Sequence, residues 1–154
     1  MTIYLLALLI GVVAGLRAMT APAMVSWAAH LGWLDLSGSW LAFLGNFWAR
    51  LVLTVFALGE LVTDQLPSTP SRTVPVQFGT RIVTGALSGA AIGAGGNAMA
   101  GGLIAGIIGA IIGTLGGRAF RAQLAKSFGS DRPAALIEDA VAIGGALLIG
   151  ASLQ

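Results

Sequence analysis

Ile3-Tyr4-Leu5-Leu6-Ala7-Leu8-Leu9-Ile10-Gly11-Val12-Val13-Ala14-Gly15-Leu16-Arg17-Ala18-Met19-Thr20-Ala21-Pro22 joins an unbroken apolar run to an arginine and then to a proline. Two other apolar runs also carry charge. The run from Leu51 closes on Glu60 and Asp64, and Glu138 and Asp139 sit inside the last one. A charged side chain in hydrocarbon costs at least ~2.5–3.5 kcal/mol on the most lenient insertion scales, so such residues face a bundle interior, pair with one another and mark a functional path.

Composition sets the class. Of 154 residues, 56% are hydrophobic and only 9% charged. A soluble domain carries about 25% charged residues, so the chain reads as one all-α, polytopic membrane domain over residues 1–154. Seven Arg and one Lys stand against six acids and are scattered among apolar helices. They form no solvated basic stripe, which excludes a nucleic-acid partner. Cysteine is absent, which removes disulfides, thiolate catalysis and Cys-based metal sites. The first run lacks a basic flank before it and has Arg17 after it, so it is expected to be retained rather than cleaved as a signal peptide.

A helical span needs ~20 apolar residues. Five candidates cover residues 3–23, 48–66, 75–95, 99–120 and 133–153. The first is interrupted at Arg17–Thr20 and Pro22, and the second extends back toward Trp40. Residues 25–46 hold Trp27, Trp33 and Trp40, with Trp48 just beyond. Trp favours the headgroup level, so this stretch reads as interfacial or re-entrant. A sixth, short span is the alternative. Pro67, Pro70 and Pro75 bracket a polar turn. Gly95-Gly96-Asn97 marks a tight hairpin, and Pro133 stands near a helix start.

Five spans place the N-terminus, the 67–75 loop and the 118–132 loop on one side. Arg72, Arg118, Arg121, Lys126 and Arg132 lie there, while the opposite loops carry no Lys or Arg. The positive-inside rule then puts the N-terminus in the cytoplasm and the C-terminus outside.

Gly85, Gly89 and Gly93 recur every four residues, as do Gly102 and Gly106, then Gly109, Gly113 and Gly117. This spacing predicts a glycine-zipper hairpin of the third and fourth spans, or a subunit interface, because helices approach closely where glycines share a face. A Gly-lined path is the other reading. A weaker regularity pairs residues 9–21 with 111–122, each followed one span later by Leu-x-Glu (Leu58-Gly59-Glu60 and Leu136-Ile137-Glu138). It suggests an inverted repeat of spans one and two with spans four and five, an architecture that recurs in secondary transporters.

Glu60 and Asp64 are four apart on one helical face. On this topology they lie at the same depth as Glu138 and Asp139, with Arg72, Arg81, Arg118 and Arg121 near that side. The expected cluster reads in three ways. Structural ion pairs pin the helices. Alternatively, Glu60, Asp64 and Glu138 hold a proton or a hard cation such as Mg²⁺, Ca²⁺ or Mn²⁺. Or Arg17, Arg72 and Arg81 take a small anionic solute, since the planar guanidinium suits phosphate and carboxylate. Arg17 and Arg50 are expected nearer the outer face, snorkelling to headgroups. The alternative turns Arg17 into the bundle beside a polar break at Met19–Pro22. His30, the only histidine, reads as an interfacial polar contact rather than a zinc ligand. Gly-x-Ser-x-Gly, the phosphate-cradling Gly-rich loop and His-Glu-x-x-His are all missing. No enzyme and no cofactor is therefore expected, an intramembrane enzyme using the carboxylate pair being the remaining alternative.

Gly15-Leu16-Arg17-Ala18 followed by Pro22, then Leu58-Gly59-Glu60-Leu61-Val62-Thr63-Asp64-Gln65-Leu66-Pro67, Pro70-x-Arg72 and Leu136-Ile137-Glu138-Asp139 resemble the bacterial membrane proteins grouped as domain of unknown function 4126. The resemblance spans most of the chain, with an abbreviated loop after Arg72. It implies a helical membrane protein whose signature positions coincide with Arg17, Glu60, Asp64, Arg72 and Glu138, and it implies no activity. The combined expectation is a small, homo-oligomeric transporter or channel of the bacterial inner membrane, with the lipid bilayer as its surroundings. It passes an ion, proton or small solute at Glu60, Asp64, Glu138, Asp139, Arg17, Arg72, Arg81 and Arg118. A membrane scaffold with structural ion pairs and a lipid-handling protein whose arginines hold phosphate headgroups are the rivals.

Overall fold

The computed structural model of the chain describes residues 2–65 and 74–154. Among them are six α-helices, one 3-10 turn and no strand. The helices are α1 (Ile3–Leu16), α2 (Thr20–His30), α3 (Phe47–Thr63), α4 (Pro75–Gly95), α5 (Met99–Phe128) and α6 (Asp131–Ser152), with the 3-10 turn over Trp40–Gly45. The all-α class is as expected. α5 and α6 are long and apolar enough to cross a membrane, and α1 is apolar but shorter. The proline-bracketed turn expected after Gln65 falls mostly outside the described residues.

Local chemistry sets the helix ends. Thr2 Oγ1 accepts from Leu5 N at the start of α1, and Asn46 Oδ1 accepts from Trp48 N at the start of α3. α4 begins at Pro75, where a missing N–H is harmless. α5 runs eight residues past the expected end at 120 and stops at Gly129, whose left-handed φ of 69° suits a glycine cap. In the Gly95-Gly96-Asn97 turn it is Asn97, at φ 58°, that takes the left-handed conformation. α6 starts at Asp131, two residues before Pro133.

The first expected span is two helices. Pro22 removes one helical N–H and would press on the carbonyl of residue 18 in a continuous helix. α1 therefore stops at Leu16, and Pro22 is carried in the first turn of α2. The chain reverses there. Ile3 packs at Gly96 and Tyr4 at Gly101, while Gly15 packs at Thr114. Met24 reaches Gly150, and Leu34 returns to Gly95. Residues 25–46, expected to be interfacial or re-entrant, are thus the end of α2, a return to the end where α1 began, and the 3-10 turn. Ser26 Oγ donates to the Leu44 carbonyl and ties the 3-10 turn to α2.

This reversal corrects two expectations. Arg17 meets Asp139 and Val13 faces Gly145, so α1 and α6 are antiparallel, and Ile3 and Ser152 share one end of the bundle. Five alternating spans put the termini at opposite ends. Second, the contacts Tyr4–Gly101 and Gly15–Thr114 make α1 and α5 parallel. Copies related by an inverted repeat would run oppositely, so the similarity of 9–21 to 111–122 does not mark one.

α1 is the central helix, with Ala7, Ile10 and Ala14 fully buried. It packs with α4 and α5 through glycines. Gly85, Gly89 and Gly93 of α4 lie against Gly102 and Gly106 of α5, while Gly109 and Gly113 of α5 lie against the α1 backbone at Leu8 and Val12. A Cβ at any of these positions would overlap a neighbouring backbone. The stripes are thereby covered within one chain, so they leave no open glycine face for a subunit interface. α3 is peripheral. It has no buried residue and rests on α2 and the 3-10 turn.

Candidate functional site

The reversal between α1 and α2 leaves backbone groups without helical partners, the carbonyls ending α1 and the N–H groups opening α2. Charged side chains from other helices meet them. The Glu60 carboxylate, on α3, accepts from Ala18 N at 2.7 Å and from Met19 N at 2.8 Å. α2 has no side-chain cap of its own, so Glu60 supplies one from 41 residues beyond Met19, with a negative charge at the positive end of the helix dipole. On the other side of the break, Arg81 Nη1 donates to the Gly15 carbonyl at 2.7 Å, and Thr114 Oγ1 lies 3.5 Å from the same oxygen. Arg81 Nη2 is 3.9 Å from Glu60 Oε1, which links the two halves.

Arg17 occupies the centre and is 0% exposed. Its Nε and Nη2 both engage Asp139 Oδ1. Its Nη1 pairs with Asp64 Oδ2 at 2.7 Å, donates to the Leu16 carbonyl at 3.1 Å and lies 3.7 Å from Glu138 Oε2. Nη2 also reaches the Ala135 carbonyl at 3.5 Å. The planar guanidinium thus joins α3, α6 and the end of α1, a geometry that a lysine's point charge does not reproduce. Arg17 is buried and does not snorkel outward. The reversal puts it level with Asp64 and Glu138, the alternative in which it turns into the bundle.

Around this core, Gln65 Nε2 donates to Asp139 Oδ2 at 2.9 Å. Arg121 Nη2 donates to the Asp64 carbonyl at 3.1 Å, its Nη1 lies 3.6 Å from Glu138 Oε2, and it forms a two-pronged pair with Asp131. Of the expected site residues, Glu60, Asp64, Glu138, Asp139, Arg17 and Arg81 come together. Arg118 is exposed and has no ion pair among the described residues. Arg72 lies outside the described residues. Gln65 and the backbone groups of Gly15, Leu16 and Ala18 join them beyond the expected set, and Met19 joins them from within the expected polar break at Met19–Pro22. The only sequence signals for them are the adjacency of Gln65 to Asp64 and the proline that forces the break.

The arrangement favours guanidinium over metal. Among the described residues no three His, Asp or Glu side chains stand together as metal ligands. Arg17 fills the space where Asp64 and Glu138 would share a cation. His30 is exposed at the end of α2, edge-on to Trp27. Arg50 stacks on Trp27 and Phe47, away from the cluster.

Neither a curated protein nor a solved structure matches the chain. The family model described as Domain of unknown function (DUF4126) matches residues 4–151, which include every charged residue of this cluster, and the chain belongs to that family.

Proposed function

We propose that this is an integral membrane protein that passes a proton, an ion or a small solute by way of the Arg17 cluster. The observation that carries the reading is the interrupted α1–α2 pair, one end held by the buried Arg17 and Arg81 and the other by the half-buried Glu60. Irregular backbone at membrane depth survives only where protein or a polar cavity covers it, and helix ends inside the bilayer contribute to the binding sites of secondary transporters.

A bilayer setting is supported by the apolar helices α5 and α6 and by the faces they leave uncovered, among them Ile104, Ile108, Ile112, Leu147 and Leu148. Water-soluble surfaces do not carry apolar patches of that extent. Thr114, beside Gly15, is about 22 Å along α5 from Met99 at 1.5 Å per residue. With the 95–98 turn at one face of a ~30 Å core, the cluster lies within the core near the other face. Arg118, Arg121, Lys126 and Arg132 all belong to that second end. The positive-inside rule makes it cytoplasmic, with both termini outside a bacterial inner membrane. In this orientation a proton or cation arriving from the cytoplasm competes with Arg17 for Asp64, Glu138 and Asp139.

One observation favours the scaffold reading. Arg17 is saturated by protein groups, as a set of structural ion pairs requires. Flux separates the two. Proteoliposomes carrying an internal pH dye and a potassium diffusion potential are expected to acidify faster than protein-free vesicles. Where they do not, a panel of ion gradients repeats the assay. Glu60→Gln and Asp64→Asn keep an acceptor oxygen, and they abolish the flux with helix content unchanged. Vesicles no more permeable than empty ones, or flux untouched in both variants, would leave the scaffold reading.

A further inference from the structure

α3 touches α2 but stands off α6, and the gap is an apolar groove of about 470 Å³ walled by Ala57 and Leu61 on α3 and by Ile143 and Leu147 on α6. Its far end is formed by Trp33, Leu31 and Gln154. Along α6 its lining runs from Ile143 to Ala151, about 12 Å at 1.5 Å per residue, and Gln154, past the end of the helix, prolongs it. That is about the thickness of one leaflet of a ~30 Å hydrocarbon core.

The rim of the groove carries a cation. Trp27 lines the groove and donates from Nε1 to Thr54 Oγ1 at 3.0 Å. The Arg50 guanidinium lies 4.6 Å from the centre of the Trp27 ring and 5.2 Å from that of Phe47. Among the described residues Arg50 has no acidic partner, and it is the only Lys or Arg on the half of the molecule that holds the 31–46 and 95–98 segments, with His30 at the end of α2 its only other basic side chain. An apolar slot one leaflet deep, with one guanidinium at its rim, is complementary to one chain and one phosphate of the same molecule.

We infer that the groove holds one acyl chain of a phospholipid of the outer leaflet, with its phosphate on Arg50. The inference rests on the bilayer setting proposed above and is independent of whether the Arg17 cluster conducts. The slot's shape gives the chain its place, and the fork of Arg50 accepts a phosphate by paired hydrogen bonds.

The test uses the full chain in proteoliposomes containing phosphatidylglycerol with a photoactivatable acyl chain, followed by peptide mapping of the cross-links. Cross-links are expected at 57–61 and 143–147. Ala57→Trp fills the slot and removes them. Arg50→Gln lowers phospholipid retained through detergent purification, read by native mass spectrometry, by about fivefold, the effect of one cation near a headgroup. Arg50→Lys restores part of it. Glycerol 3-phosphate, which has the phosphate without the chain, does not displace the lipid. Cross-links spread evenly over the exposed faces, or retention unchanged in both variants, would overturn the inference. So would displacement by glycerol 3-phosphate, which would make the site one for free anions. A chain that stays dispersed without detergent would instead defeat the bilayer reading.

Discussion

Arg17 and Asp139, 122 residues apart in the chain, are joined by two guanidinium nitrogens on one carboxylate oxygen. The pair closes the fold. Arg17 stands where α1 ends, and Asp139 stands two turns into α6, so one contact fixes the first helix against the last. The same guanidinium holds Asp64, so the end of α3, otherwise peripheral, is tied to the centre through charge rather than through apolar packing.

Removing Arg17 is therefore more damaging than removing any one of its partners. Arg17→Ala leaves Asp64, Asp139 and Glu138 buried without their shared counter-charge, at a cost of about 3–5 kcal/mol. Arg17→Lys recovers only part, because an ammonium does not span three carboxylates in one plane. Adding Asp139→Asn to Arg17→Gln is expected to regain stability over Arg17→Gln alone. Unfolding in mild detergent followed by circular dichroism reads all four. Equal melting of Arg17→Ala and the parent chain would falsify the assignment of Arg17 as the hub.

Glu60 is a helix cap delivered from another helix. Glu60→Ala strips the partners of Ala18 N and Met19 N at once, and is expected to cost about 1–2 kcal/mol, the range of a strong cap. The local signature is faster amide exchange at Ala18 and Met19, with the amides of α5 unchanged. Glu60→Asp, a methylene shorter, shows the same local loss. Protection at Ala18 and Met19 that survives Glu60→Ala would mean the break is held by something else.

The glycines divide by what their missing Cβ would meet. At Gly109 it would strike the Leu8 carbonyl and the Val12 amide, both backbone. At Gly116, one face round on the same helix, nothing lies within 4 Å. Gly109→Ala is expected to force α1 and α5 apart and lower stability by about 1–3 kcal/mol, as overpacking does. Gly116→Ala is expected to raise it by about 0.5–1 kcal/mol through helix propensity alone. The opposite signs, measured by reversible unfolding in detergent, are the test. Two losses of similar size would show that α5 does not present these faces.

The helices themselves were legible because their signals are local. α4 lies at 75–95 as read, bounded by Pro75 and the Gly95-Gly96 pair. The interruption at Arg17 was visible in the arginine and Pro22. The reversal after it was not. A chain turns back at a break only if the freed N–H groups find acceptors, and the acceptor is Glu60, which no local pattern connects to Ala18 and Met19. For the same reason Arg17, expected nearer the outer face, stands instead level with Asp64 and Asp139. The carboxylates were found because buried charge is rare in so apolar a chain. Arg118 and Arg121 share a helix end, but only the position of α6, beside Arg121, decides which of them pairs. Glycine spacing announced close contact without naming the partner, and Gly11 and Gly15, which bring α1 to α5, belong to no long stripe.

The ends of the chain give the most direct test of the reversal. With α1 and α2 as two legs, Ser37, Ser152 and the N-terminus lie at one end, and Ser130 lies at the other, beside Asp131 and the Arg121 pair. With residues 3–23 as one span, the N-terminus joins Ser130 and separates from Ser152. The chain has no cysteine, so Thr2→Cys, Ser37→Cys, Ser130→Cys and Ser152→Cys each add a single thiol to a silent background. A membrane-impermeant maleimide applied to intact cells is expected to label positions 2, 37 and 152, and to reach position 130 only after the membrane is opened. Labelling of 37 and 152 with protection of 2 would restore the single span, return Arg17 to the outer side and remove the basis for a shared cluster with Asp64 and Asp139.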